Sequence, residues 1–71
     1  MFQPTKLDHL SADQKLALWL GWVHAIEDEG RDVTEWELSF VDDMKEKLMD
    51  DFPLTPAQSG KLEQIYTERT P

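Results

Sequence analysis

The chain has no cysteine, only three glycines, and few bases: seven lysines and arginines stand against fifteen aspartates and glutamates over 71 residues. Without cysteine, neither a disulfide nor a zinc-thiolate site can stabilise the fold. The formal net charge of -8 argues against direct binding to nucleic acid or to anionic lipid, because both are polyanions. A protein with a basic surface is the natural complement of such a chain.

Long apolar runs are also missing. No segment approaches the roughly 20 apolar residues of a membrane span, and the N-terminus lacks the basic and apolar regions of a signal peptide. We therefore expect no membrane association and a cytoplasmic location. With 39% apolar residues, residues 1–71 predict one small domain, close to the lower size limit for folding without a disulfide or a metal.

Catalytic motifs are absent too. The sequence has no glycine-rich phosphate loop, no G-x-S-x-G turn and no H-E-x-x-H helix. His24 and Asp28 are four residues apart, but two ligands without a third at suitable spacing more often form a surface hydrogen bond than a metal site. We expect no enzyme activity, no metal site and no cofactor.

Three capping boxes mark helix starts. In Thr34-Glu35-Trp36-Glu37 the threonine hydroxyl can accept a bond from the Glu37 amide, and the Glu37 side chain can return one to the Thr34 amide. Similar patterns begin at Ser11 and Thr55, and Gly30 and Pro53 are typical stop signals. The sequence predicts helices at about 12–29, 35–51 and 56–68, with residues 1–10 as an arm or short turn.

Short connections between these helices predict an all-α fold, a small three-helix bundle with antiparallel neighbours. The second helix should turn one apolar face inward, and the third should add three more core residues. These predicted core residues are Phe40, Val41, Met44, Leu48 and Phe52, followed by Leu62, Ile65 and Tyr66.

The first helix has more apolar surface than one core needs, because Leu18, Trp22 and Ala25 widen its apolar stripe to roughly 200°. Two interpretations are open. The N-terminal arm or the third helix covers this patch, or the patch docks a partner or a second copy of the chain with Trp22 as the anchor, since tryptophan is enriched in binding hot spots.

The most informative feature is an acidic stripe on the predicted second helix. Its five carboxylates fall within an arc of roughly 100° and span about 22 Å. That is about one charge per 4 to 5 Å, against about one phosphate per 3.4 Å along a DNA strand. The stripe therefore resembles a row of phosphates, and the alternative is a solvated surface that only favours solubility. Its members are Glu35, Asp42, Asp43, Glu46 and Asp50.

A second group of acids, the loop acidic cluster, surrounds the predicted first turn and consists of Glu27, Asp28, Glu29 and Asp32. Acids near a helix C-terminus are disfavoured, and so are like charges four residues apart, such as Asp42 and Glu46. Each such arrangement costs a few tenths of a kcal/mol. A sequence selected only for stability would combine acidic with basic residues at these positions. The excess of acids therefore favours a functional acidic face.

Residues 34–68 contain T-E-W-E-L-S-F-V and L-T-P-A-Q-S-G-K-L-E-Q-I-Y, and this stretch resembles short helical segments of small phage and prophage proteins. The resemblance implies a mobile-element origin and, with it, the host bacterial cytoplasm. Small acidic proteins in that setting are often similar to anti-CRISPR or anti-restriction inhibitors, which commonly occupy nucleic-acid sites on defence proteins. No functional residue follows from the resemblance.

These observations favour a non-enzymatic binding protein whose acidic stripe blocks a basic, nucleic-acid-binding surface on a partner. The alternative is a structural or assembly module that docks or dimerises through Leu18, Trp22 and Ala25. The dependence of binding on salt distinguishes these two functions, because charge-driven docking weakens as ionic strength rises and docking by apolar burial does not. The sequence argues against a DNA-binding helix-turn-helix protein, because the second and third helices lack a basic surface.

Overall fold

Three α-helices form the chain in a computed structural model that describes residues 2–71. Helix α1 spans Ala12–Glu29, α2 spans Glu35–Met49 and α3 spans Pro56–Arg69. Residues 2–71 contain no β-strand, so the predicted all-α three-helix bundle is confirmed. The first residue of the predicted arm, Met1, lies outside the described residues.

Each helix begins with the capping box that its sequence predicts. In every case the hydroxyl of the cap residue accepts a hydrogen bond from the backbone amide of the residue three positions later. The side chain of this later residue in turn accepts a hydrogen bond from the backbone amide of the cap residue. Two of the four backbone donors left free at a helix start are thereby satisfied. The pairs are Ser11 with Gln14, Thr34 with Glu37, and Thr55 with Gln58.

The end of α2 differs from the prediction. The helix stops at Met49 rather than at residue 51, because Asp51 adopts a left-handed conformation with φ 60°. The Asp51 amide then donates to the Leu48 carbonyl at 3.1 Å and the Phe52 amide to the Lys47 carbonyl at 2.9 Å, which is the Schellman pattern. This turn directs the chain away from the core, so the prediction that Phe52 points inward is wrong: its side chain is 60% exposed. Helix α3 runs one residue further than predicted, to Arg69.

The core lies where the three helices meet, and α1 and α3 pack against each other most closely. The predicted core positions Val41, Met44, Leu48, Leu62 and Ile65 are buried. Phe40 and Tyr66 are half-buried and pack against the core from its edge. Among residues 2–71, the buried hydrophobic residues are Trp19, Trp22, Val23, Ile26, Val41, Met44, Leu48, Leu54, Leu62 and Ile65.

Gly30 ends α1 as predicted, but not by using the left-handed conformation that glycine favours. Its φ is -64° and its backbone is extended. A Cβ atom at this position would collide with the carbonyl oxygen of Ile26 and would lie 2.9 Å from a methyl group of Val33. Glycine is therefore needed for close packing of the chain on itself, and the left-handed residue of this connection is Asp32, with φ 56°.

The N-terminal arm packs along α3. The Thr5 amide donates to Oε1 of Glu63 at 2.8 Å, and the Thr5 hydroxyl donates to the other carboxylate oxygen. Pro4 lies against Gly60, where a Cβ atom would be only 3.1 Å from the proline ring. A turn with a 3.0 Å bond from the Leu10 amide to the Leu7 carbonyl then leads into α1. Residues 2–10, for which the sequence predicts an arm or a short turn, thus lie along α3 as an arm and end in a turn.

None of the helices in residues 2–71 combines the length and the apolar character that crossing a membrane requires.

Candidate functional site

The acidic stripe lies on the side of α2 that faces away from the core. Val41, Met44 and Leu48 bury the opposite side of the helix. All five carboxylate residues of the stripe are exposed. Four of them lie within α2, and Asp50 is the cap residue directly after its last turn.

The bases next to the stripe do not neutralise it. Two ion pairs form among residues 2–71, and neither uses a stripe carboxylate. Lys45 instead reaches across to α1, where its Nζ lies 3.1 Å from Oε2 of Glu27. The stripe carboxylates are therefore exposed and outside both ion pairs, so an approaching protein can contact them.

The loop acidic cluster is less uniform than its sequence indicates. Its four residues are exposed, but Glu27 is paired with Lys45 and so links α1 to α2. Asp32 occupies the left-handed position of the connection, which aspartate tolerates better than most residues. Two of the four acids thus have a structural role, and the stripe is the better candidate for a binding surface.

Exposed apolar side chains border the stripe on both sides. By helical geometry Trp36 lies about 20° around α2 from Asp43, and Met49 lies about 20° from Asp42 on the other side. Within residues 2–71, the large hydrophobic side chains that are exposed all belong to α2 or to the turn after it. They are Trp36 at 60%, Leu38 at 48%, Met49 at 69% and Phe52 at 60%.

Trp36 and Phe40 form a stacked aromatic pair on the flank of α2 nearest to α3. Their ring centroids are 5.5 Å apart and the planes are 12° from parallel. The ammonium group of Lys61, on α3, lies 5.2 Å from the centre of the Trp36 ring. Sequence reasoning missed this feature, although the spacing of four residues between the two aromatics signals a contact on one helix face.

The apolar patch predicted on the first helix is covered at Trp22 and half-buried at its other two residues. Trp22 is 8% exposed and stacks on Tyr66 of α3, with ring centroids 5.9 Å apart. Leu18 and Ala25 are half-buried. Helix α3 therefore covers Trp22, and this face presents no exposed tryptophan.

A partly buried ion pair joins the start of α2 to the end of α3 and so helps to position the stripe. Glu37 is 7% exposed, and its carboxylate accepts a 2.9 Å bond from the Thr34 amide and a 3.2 Å bond from Nε of Arg69. The bond from the Thr34 amide and the contact with Arg69 hold the pKa of Glu37 below its usual value, although burial acts in the opposite direction. The partner from α3 is 32 residues away, and no local pattern in the sequence indicates it.

Other possible sites are less developed. No group of three or more histidines, aspartates and glutamates within residues 2–71 is arranged to hold a metal ion. A cavity of about 560 Å³ lies between the N-terminal arm and the start of α3, with Leu7, Trp19 and Leu54 in its wall, and it is separate from the stripe. Every buried side-chain nitrogen and oxygen in the described part of the chain has a hydrogen-bond partner.

Comparison with protein-family models, with curated proteins and with solved structures finds no match to this chain. The proposal that follows therefore depends on the residues and geometry of α2.

Proposed function

We propose that this protein is a non-enzymatic binding protein whose acidic stripe occupies a basic, nucleic-acid-contacting surface on another protein. The observation that carries the proposal is the combination of charge and apolar exposure on one helix. The five carboxylates are exposed, and Trp36, Leu38 and Met49 border them.

This combination favours a binding surface over a solvated one. Solubility needs charge but no exposed tryptophan or methionine. Protein interfaces, in contrast, combine apolar and aromatic anchors with charges that complement the partner. The charges steer the encounter and select the partner, and burial of the anchors slows dissociation.

The spacing of the carboxylates supports a nucleic-acid mimic in particular. On a straight α2 the stripe carries on average about one negative charge per 4 to 5 Å of helix, against about one phosphate per 3.4 Å of strand. The charge is densest from Asp42 to Glu46, where three carboxylates lie within about 6 Å along the axis, and Glu35 lies about 10 Å before them. A groove lined with lysine and arginine that accepts a phosphate backbone can accept this row. The partner then loses access to its own nucleic acid.

The resemblance of residues 34–68 to segments of small phage and prophage proteins adds a biological setting. In that setting the partner is a nucleic-acid-binding protein of a host defence system, and the chain acts in the host cytoplasm as an anti-CRISPR-like inhibitor. Expression in a defended bacterial strain should then restore phage plating.

The decisive variant reverses the centre of the stripe, with Asp42→Lys, Asp43→Lys and Glu46→Lys combined. The wild-type protein should capture a basic protein from a nuclease-treated bacterial lysate, and added duplex DNA should compete with that capture. The triple variant should fail to capture it and should leave the DNA binding of the purified partner intact. High salt should weaken the wild-type capture, because the interaction depends on charge.

A matched control reverses three exposed acids elsewhere, Asp8, Asp13 and Glu68, and changes the net charge by the same amount. This control should still capture the partner. Equal capture by the wild-type protein and the stripe variant at low salt would show that the stripe is only a solvated surface. Loss of capture in both variants would show that net charge alone governs binding.

A further inference from the structure

Trp36 differs from the other two tryptophans of the chain. Trp19 and Trp22 are 3% and 8% exposed, whereas Trp36 is 60% exposed. Its ring is nevertheless held in place, by Phe40 at 5.5 Å between centroids and by the Lys61 ammonium at 5.2 Å from the ring centre. A ring that is already ordered loses little conformational entropy when a partner binds.

We propose that Trp36 is the anchor of the acidic surface and that it binds an arginine side chain of the partner, in the place over the ring where Lys61 lies. This inference rests on the proposed function, because the negative charge of the stripe is what attracts the positively charged partner. Lys61 already shows that the ring accepts a cation in this geometry.

Arginine fits this surface better than lysine for two reasons. Its planar guanidinium stacks on aromatic rings and is less strongly hydrated than an ammonium group. Its remaining donors can bind carboxylates in a bidentate way, and Asp43 lies two helical turns from Trp36 on nearly the same side of α2. An arginine-rich segment can therefore place one residue on the ring and others on the stripe.

The test measures binding of two labelled peptides, deca-arginine and deca-lysine, by fluorescence anisotropy at low ionic strength. The readout is the ratio of the two dissociation constants, which cancels the general attraction between opposite charges. Trp36→Ala should weaken deca-arginine binding about two- to fivefold, as expected for loss of an exposed cation-π contact. It should weaken deca-lysine binding less, so the preference for arginine should fall. Leu38→Ala removes a different exposed apolar side chain on α2 and should leave the ratio unchanged.

A second variant separates the π face from apolar surface. Trp36→Leu keeps an apolar side chain but has no aromatic ring, so it should lower the ratio as Trp36→Ala does. An unchanged ratio in both variants, with thermal melts that show them folded, would overturn the inference.

Lys61 gives an independent test. Lys61→Gln, on α3, frees the ring and should strengthen deca-arginine binding more than Lys47→Gln, which removes an equal charge from α2 and leaves Lys61 over the ring. Equal gains from the two variants would show that the peptide does not take the place of Lys61.

The same measurements distinguish failure of the proposed function from failure of this inference. If the triple lysine variant of the stripe binds both peptides as tightly as the wild-type protein does, the stripe is not the binding surface. If the stripe variant loses both peptides while Trp36→Ala keeps the wild-type ratio, the stripe binds and Trp36 is not its anchor.

Discussion

Glu37→Gln is the change that tests how the start of α2 is held. Glutamine can still accept the hydrogen bond from the Thr34 amide, since both glutamate and glutamine complete a capping box. What it removes is the negative charge next to Arg69, whose Nε lies 3.2 Å from Oε1 of Glu37. The variant therefore keeps a neutral acceptor for the cap and removes the charge that both the Thr34 amide and Arg69 stabilise.

The geometry sets the expected size of the effect. The Glu37 side chain is 10% exposed and that of Arg69 is 31% exposed, so water screens this pair less than a surface pair. Exposed pairs contribute about 0.2 to 1 kcal/mol and hydrogen bonds to charged groups about 1.5 to 3 kcal/mol. We expect Glu37→Gln to lower the free energy of unfolding by about 1 to 2 kcal/mol. For a domain of this size the melting temperature should fall by roughly 4 to 8 °C per kcal/mol.

The pKa shift of Glu37 determines how its contribution to stability changes with pH. The pKa of Glu37 in the folded protein is lowered from its ordinary value of 4.5, so the unfolded chain takes up this proton at the higher pH. The stabilisation is therefore fully present above pH 4.5 and is lost as the pH falls through the lower pKa of the folded state. The difference in unfolding free energy between wild type and Glu37→Gln should be largest at pH 7 and should shrink as the pH falls toward 3.

The assay is urea unfolding followed by circular dichroism at a series of pH values. Glu29→Gln serves as the control, because it removes the same charge from an exposed residue at the end of α1. This control should change stability by only a few tenths of a kcal/mol, in the stabilising direction. A Glu37→Gln effect that stays constant from pH 7 to pH 3, or one no larger than that of Glu29→Gln, would refute the role of the ion pair.

Three further changes test other parts of the fold. In a denaturant titration, Gly21→Ala should raise the unfolding free energy by about 0.5 to 1 kcal/mol, because a Cβ atom at this position has no neighbour within 4 Å. Gly60→Ala places a Cβ atom 3.1 Å from Pro4 and should show no such gain. Asp51→Gly should stabilise by about 1 kcal/mol, read as a higher melting temperature, since glycine adopts the left-handed conformation without strain, and a destabilised variant would contradict this. Trp22→Ala should destabilise by about 3 to 5 kcal/mol in chemical unfolding, whereas a change below 1 kcal/mol would mean that Trp22 is not a core residue.

The sequence alone determined where the helices begin and which side of α2 is acidic. Both depend on near neighbours in the chain: a capping box joins residues three apart, and the stripe follows from 100° of rotation per residue. Each predicted start was confirmed, at Ala12, Glu35 and Pro56. Exposure of the stripe followed because Val41, Met44 and Leu48 on the opposite side had to be buried.

Where α2 ends was harder to read, since its stop depends on the backbone of Asp51. Aspartate is not a strong stop signal in sequence, yet here it takes the left-handed position that glycine usually occupies. That one conformation moved the end of α2 and exposed Phe52.

Only the tertiary structure decided which apolar residues a partner can reach. The sequence offered Trp22 as the possible anchor, but Tyr66 of α3 covers it, and the exposed tryptophan among residues 2–71 is Trp36. The ion pair of Glu37 with Arg69 and the bonds of Thr5 to Glu63 likewise join residues 32 and 58 positions apart. Such contacts depend on how the helices and the arm pack, and local periodicity carries no information about them.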